Sequence, residues 1–291
     1  SRRQRQMCIR DRPRSIYPLS TISEIKEWCY HEGKTFWEYV SDCEGPEIWD
    51  YLDTVWETMC ATIQRGLNND GVLPGGLKVA RKASTYWVKS KSYTDSLSSR
   101  AKIYAYALAT SEENASGGTV VTAPTCGSSG VMPAVLYHLS TSRNFLRIRI
   151  LRALATAGLF GNVAKTNSSI SGAEVGCQGE VGVACAMAAA AACQLFGGTP
   201  SQIEYAAEMG LEHHLGLTCD PVCGLVQVPC IERNAIAAAR AFDANAYATL
   251  SDGSHMVSFD KVVEVMNETG HALPSLYRET SEGGLAKRFK R

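Results

Sequence analysis

Apolar positions along this chain recur mostly with a helical period. In "PEIWDYLDTVWETMCATIQRGL", Ile48, Leu52, Val55, Trp56, Met59 and Ile63 follow i, i+3, i+4, i+7 spacing, which predicts a long amphipathic helix with Cys60 on or beside its apolar stripe. The earlier stretch "STISEIKEWCYHEG" opens on a Ser/Thr-then-Glu capping pattern and closes on Gly33, so it predicts a shorter helix. Further helices are predicted over "SSRAKIYAYALATSEEN", "IERNAIAAARAFDANAYATL" and "SFDKVVEVMNETG", the last with Ser258 as N-cap and Gly270 just past its end. "NNDGVLPGG" is a turn-rich break. Alternating patterns are nearly absent, with "TVVTA" the single strand candidate, and the expected fold is all-α.

Between Gly117 and Pro229 the texture changes. Gly/Ser/Thr/Pro clusters alternate there with alanine-rich helices, and loops of that kind on a helical scaffold are where function concentrates. The longest apolar run, Val181 to Ala192, reaches only about two-thirds of a membrane span and is mostly alanine, so it reads as a buried core helix.

Composition narrows the function classes. Lys+Arg and Asp+Glu both count 29, a balance that does not favour a nucleic acid or another polyanion as partner. Basic runs at the two ends (Arg2 to Arg14, Lys287 to Arg291) read as solvated tails, and the opening "SRRQRQMCIRDR" matches no folded element and resembles translated adapter sequence. Residues 1–12, with Cys8, are therefore set apart as a non-native or disordered tail. The N-terminus lacks the apolar stretch of a secretory signal, and a cytoplasmic setting is expected. Eleven cysteines, an odd number, then argue against a disulfide framework and for metal or cluster ligation by some of them.

Three cysteines are bracketed by glycine or proline: Cys177 in "VGCQGE", Cys219 in "LTCDPV" and Cys230 in "VPCIER". A metal-bound thiolate gains from backbone N–H groups aimed at its sulfur, and small neighbours let backbone or inorganic sulfide come close. Cys29, Cys185 and Cys193 sit instead among apolar neighbours inside helices and read as core. From spacing alone, three readings stand: a cluster, a zinc site drawing on Cys219, Cys223, Cys230 and His213 or His214, or ordinary buried thiols. The loop "TAPTCGSSGVMPAVL" runs small hydroxyls and glycines into a helix start, which suits a carboxylate or phosphate or is a plain capped loop. "KTNSSISGAE" offers donors at Asn167, Ser168, Ser169 and Ser171 and close approach at Gly172. Its Lys165 has no glycine-rich phosphate loop placed to partner it, so pyridoxal phosphate is not favoured.

Those two loops, with "GAEVGCQGEVGVACAMAAAAACQLFGGTP", "EHHLGLTCDPVCGLVQVPCIERNAIAA" and "YRETSEGGLA", resemble the α, catalytic part of the iron–sulfur L-serine dehydratases over Trp49 to Ala286. The resemblance implies residues 49–291 as the catalytic domain, residues 13–48 as a linker and lead helix, and degradation of L-serine to pyruvate and ammonia without pyridoxal phosphate. It implies a [4Fe–4S] cluster on Cys177, Cys219 and Cys230, whose steps of 42 and 11 residues match the family pattern. It implies, further, that Thr125, Gly127, Asn167, Ser169, Ser171 and Gly172 hold the substrate.

Two departures accompany it. Cys126 stands where many members have Asn, and Cys223 where the family commonly has a small residue. Family enzymes also carry a β domain or subunit with a serine- and histidine-rich loop, the expected home of the general base, and some single-chain members end in a cysteine that reaches the open iron. No such segment precedes Trp49 and the chain ends in "KRFKR", so the expectation is a catalytic domain that binds a cluster and turns over slowly or not at all without a β part. An L-cysteine desulfidase on the same fold and a non-catalytic cluster-binding subunit are the alternatives. Long amphipathic helices suggest a homo-oligomer.

Overall fold

A computed structural model describes residues 16–289; the set-apart tail and Cys8 lie outside the described residues. Among the described residues there are thirteen α-helices and two isolated β-bridges, and the chain is all-α as its periodicity predicts. "TVVTA" forms no strand but runs irregularly from one helix to the next loop.

Helix α1 (Ile22–Glu32) starts on a complete capping box, Thr21 and Glu24 exchanging side-chain and backbone bonds, and stops where Gly33 turns left-handed at φ 63°. After α2 (Phe36–Glu44), α3 (Glu47–Leu67) buries Leu52, Trp56, Met59 and Ile63 of the predicted stripe, with Ile48, Val55 and Cys60 half-buried beside them. A short α4 (Ala83–Ser90) precedes α5 (Asp95–Ala115), followed by α6 (Val131–Arg143) and α7 (Arg147–Asn167). A single short helical turn, α8 (Gly172–Val175), leads through one turn of π-helix at Gln178–Gly182 into α9 (Val183–Leu195). Helices α10 (Pro200–Glu212), α11 (Cys230–Leu250), α12 (Phe259–Ala272) and the short α13 (Gly284–Arg288) complete the chain.

Helix α9 is the centre of the packing. It touches α6, α7, α10 and α11, and every residue but Gln194 is buried. Alanine allows this because helix axes can approach only as closely as the side chains between them permit. At Gly210 of α10 the approach is limiting: a Cβ there would lie 2.9 Å from the Ala186 Cα.

Ser258 caps α12 by accepting from the Lys261 N–H, as its sequence predicts, but the helix end differs. Gly270 is inside α12, which runs to Ala272, because its bare face packs on Val175; a Cβ would meet the Val175 Cβ at 2.5 Å. The glycine serves contact between α12 and α8 rather than a turn.

Candidate active site

The three bracketed cysteines come from three separate segments and meet at the N-terminal end of α9. Cys177 sits between α8 and the π-turn, and the chain reaches it through Gly176, whose φ of 77° and closeness to the Leu217 carbonyl (a Cβ would stand 2.7 Å away) both require glycine. Gln178, fully buried, locks the turn: its Nε2 donates to the Val175 carbonyl at 2.8 Å and the Met266 carbonyl at 3.2 Å, and its Oε1 accepts from the Gly216 N–H at 2.9 Å. Cys219 is held in extended backbone. Its N–H donates to the Tyr277 carbonyl at 2.9 Å and its carbonyl accepts from the Glu279 N–H at 2.5 Å, a parallel bridge to the C-terminal segment. Cys230 opens α11 directly after Pro229.

These thiols act on one another. A hydrogen bond from Cys219 and the nearby Arg233 guanidinium bring Cys177 below the ordinary thiol range in spite of its burial. The same bond, together with burial, drives Cys219 far up. Burial and then the Cys177 charge push Cys230 to about 12. One thiolate is thus favoured and the next two are resisted. Arg233 is anchored by its own bond to the Thr218 carbonyl at 2.7 Å.

A carboxylate completes the pocket. Glu180 Oε1 accepts from the Thr125 hydroxyl at 2.9 Å, Oε2 lies 3.8 Å from the Cys219 sulfur, and burial raises the group above the usual carboxylate range. Gly127 and Gly172 flank it. A Cβ on Gly127 would stand 3.1 Å from Glu180 Oε1; one on Gly172 would stand 2.6 Å from Oε2 and 2.9 Å from the Cys219 sulfur. Asn234, a buried polar residue on α11, ties two walls together. It accepts from the Gly130 N–H at 2.9 Å and donates to the Gly127 and Cys230 carbonyls at 2.7 and 2.8 Å.

The structure therefore brings Thr125, Gly127, Gly172 and the three cysteines together. Ser169 and Ser171 form the far face of the same loop, the Ser169 hydroxyl donating to Glu174 and accepting from the Ser171 N–H at 3.0 Å. Asn167 is exposed and its amide donates to the Ser20 carbonyl at 2.8 Å, bracing the loop against the segment before α1. Cys126 and Cys223 are exposed, and Cys223 carries a left-handed φ of 57°. His213 caps α10 and the buried His214 bonds the Gly210 carbonyl at 2.7 Å, so both flank a helix end. Among the described residues all ten cysteines are free, and no group of three or more His, Cys, Asp or Glu has the spacing of a single-ion site. Gln178, Arg233 and Asn234 were not singled out from sequence. A polar residue with no partner in pattern, inside an alanine-rich helix or between glycines, is the signal that points to them.

A profile described as serine dehydratase alpha chain matches residues 19–286. The chain belongs to that family. It is 52% identical over 277 residues to the L-serine dehydratase of Streptomyces coelicolor, covering 93% of this chain and 61% of that protein. L-serine dehydratase 1 of Escherichia coli is 48% identical over 280 residues, and the Helicobacter pylori L-serine dehydratase 40% over 285, each matched over 62% of its length. The chain thus spans about three-fifths of these relatives. No described helix is long and apolar enough to cross a membrane.

Proposed function

We propose that this chain is the cluster-bearing part of an L-serine dehydratase, which converts L-serine to pyruvate and ammonia. The observation that carries the reading is the convergence of Cys177, Cys219 and Cys230 on one pocket, with their charges acting on one another. Three thiolates, a glycine face at Gly172 and a cationic neighbour in Arg233 fit an anionic iron–sulfur cluster in donor chemistry. When bound, a [4Fe–4S] cluster with three protein ligands supplies an iron with an open position, a Lewis acid toward the hydroxyl of serine.

The chain's residues do the rest of the positioning. Arg233 offsets the negative charge gathered at the thiols. Thr125 is held by Glu180, so its hydroxyl is fixed at the pocket rather than free to rotate, and Gly127 and Gly172 clear the space between. Ser169, its hydroxyl engaged with Glu174 and the Ser171 N–H, shapes the loop, which Asn167 braces through Ser20. Overall the substrate loses its α-proton and its hydroxyl as water, and the aminoacrylate so formed hydrolyses to pyruvate and ammonia. The base that takes the α-proton is assigned to a β domain or subunit, the partner the resemblance implies. The ten free thiols among the described residues suit a reducing compartment such as the cytoplasm.

The test is anaerobic reconstitution followed by iron and sulfide analysis, with pyruvate measured from L-serine before and after adding the β part of a relative. About four irons per chain are expected, as for a cubane cluster. Cys177→Ala should lose them, with the cluster-free fold less stable by only about 1 kcal/mol. Zinc, or no metal, sinks the reading. Sulfide released from L-cysteine faster than pyruvate from L-serine would move the substrate to the thiol.

A further inference from the structure

Helix α11 buries one face against α5, α6, α9 and α10 and leaves the other to solvent. Along that outer face Ile236, Arg240, Asp243, Tyr247 and Leu250 are exposed, at steps of 4, 3, 4 and 3 residues. That is the seam spacing of paired helices, and here the seam is open. Its apolar members are bare: Ile236 is 51% exposed, Tyr247 59% and Leu250 89%. Leu97 of α5, a turn from the Arg100 that reaches Asp243, is exposed beside them, and so is Met256 in the loop after α11. Single apolar residues scattered over a surface need no explanation, but a line of them at seam spacing does.

The seam is also complementary to itself. A point between Ala241 and Phe242 has Ile236 and Tyr247 equally far on its two sides, and Arg240 and Asp243 likewise. A two-fold axis through that point lays a second α11 antiparallel on the first, with each Ile236 against a Tyr247 and each Arg240 against an Asp243. An isologous interface requires complementarity of that kind. Arg240 spends one guanidinium nitrogen on the His213 carbonyl at 2.8 Å, and Asp243 meets Arg100 through one oxygen at 3.3 Å, so each keeps polar atoms for a further partner. Ala239, Ala244 and Ala246 flank the seam with side chains short enough for two axes to come close. A groove of about 360 Å³ between α10 and α11, with Met209, Ala244 and Tyr247 in its wall, lies where the Ile236 of a second copy arrives.

We propose that the chain pairs with a second copy of itself through this face, the two α11 helices antiparallel about an axis between Ala241 and Phe242. The Leu250 of the second copy then stands against the first turns of α11, beside Glu232 and Ile236. Each α11 opens with the pocket thiol Cys230, so the seam joins the supports of two thiol pockets. The pairing needs neither a cluster nor lyase activity, and it is tested apart from both.

Sedimentation of the cluster-free chain is the experiment, and a particle of twice the mass of one chain is expected at micromolar concentration. Ile236→Glu, which sets a charge against Tyr247, should weaken self-association at least about tenfold. The register is read by exchanging charges. Arg240→Asp gives a seam with two acids and Asp243→Arg a seam with two bases, so each variant alone should pair about tenfold more weakly or worse. Mixed one to one, the two variants complement each other at every bridge and should pair about as tightly as the parent, which a merely structural role for either residue would not produce. Cross-linking serves should one of these not fold: Ile236→Cys mixed with Tyr247→Cys should give a disulfide-linked pair on oxidation. Ile236→Cys alone should give none beyond the parent's background, because its two copies would stand about 16 Å apart along the antiparallel helices. A monomeric parent, a dimer indifferent to Ile236→Glu, or a mixture of the charge variants no better paired than either alone would overturn the proposal.

Discussion

The alanine wall of α9 and the thiol pocket at its N-terminal end are contiguous in the chain, yet they are held together by different means. In α9, apolar side chains fill a helix interface, and each contact is one of many interchangeable small ones. The pocket instead depends on a few polar residues, each with a specific partner: Gln178 for the π-turn, Asn234 for the Thr125 loop and Cys230, the Tyr277–Glu279 segment for Cys219. Damage to the wall should therefore appear as lost stability, and damage to the pocket as lost ligation with stability largely kept.

The largest effect that sharpens this contrast is expected at Gly210. Valine there would drive its Cβ into the backbone of Ala186, whose Cα lies 2.9 Å from that position, and neither helix can yield without moving its neighbours. A loss of about 3 kcal/mol is expected, read as a lower urea midpoint of the cluster-free chain. If Gly210→Val were as stable as the parent, the wall would not be as tightly packed as its geometry requires.

Acid should strike both regions at once, through one buried histidine in each. His138 packs on Phe242 in the core with Nε2 near the Ser99 hydroxyl at 2.8 Å, and His214 lies beneath the pocket beside Gly182. Burial above all lowers each to about 4. The unfolded chain binds these protons near pH 6.5 and the folded chain only near 4, so stability is full above about 6.5 and falls as pH drops through that window. Each histidine should remove about 2 kcal/mol by pH 5. Denaturation curves between pH 7 and 5 measure the total, and His138→Gln and His214→Gln separately flatten the core and pocket shares.

Much of the wall was legible in the sequence, because it follows from period. The stripe Leu52–Trp56–Met59–Ile63 and the Thr21–Glu24 cap are local patterns whose physics is complete within a few residues. Gly270 shows where local reading stops: glycine near a helix end usually marks the end, but here its bare face accepts Val175 from a segment 95 residues earlier, and nothing nearby in the chain announces that contact. The pocket was legible as chemistry but not as architecture. Glycine and proline around Cys177, Cys219 and Cys230 marked the thiols, whereas their supports, Arg233, Asn234 and the Tyr277–Glu279 segment, act across distances in sequence that no period encodes.

Asn234 is where the two regions can be pulled apart. It belongs to α11, which packs on α9, yet all three of its bonds serve the pocket. Asn234→Ala should cost about 2 kcal/mol, since it leaves the buried Gly130 N–H without its acceptor. Its more telling effect should be on metal. With Cys230 and the Thr125 loop no longer tied, iron should leave a reconstituted sample faster on chelator challenge.

The smallest effect tests whether the pocket is insulated from the chain's own N-terminal region. Thr21→Ala removes one cap bond of α1 and should lower stability by about 1 kcal/mol. Yet Ser20, the residue before it, accepts the Asn167 brace, and the Ile22 and Ser23 N–H groups both donate to Asp260 of α12 at 2.8 Å. Because Asp260 holds the start of α1 independently of Thr21, the brace should survive the substitution. Unchanged iron retention in Thr21→Ala would show that the loop carrying Asn167 answers to that anchoring, and a faster loss would show that the cap itself reaches the pocket.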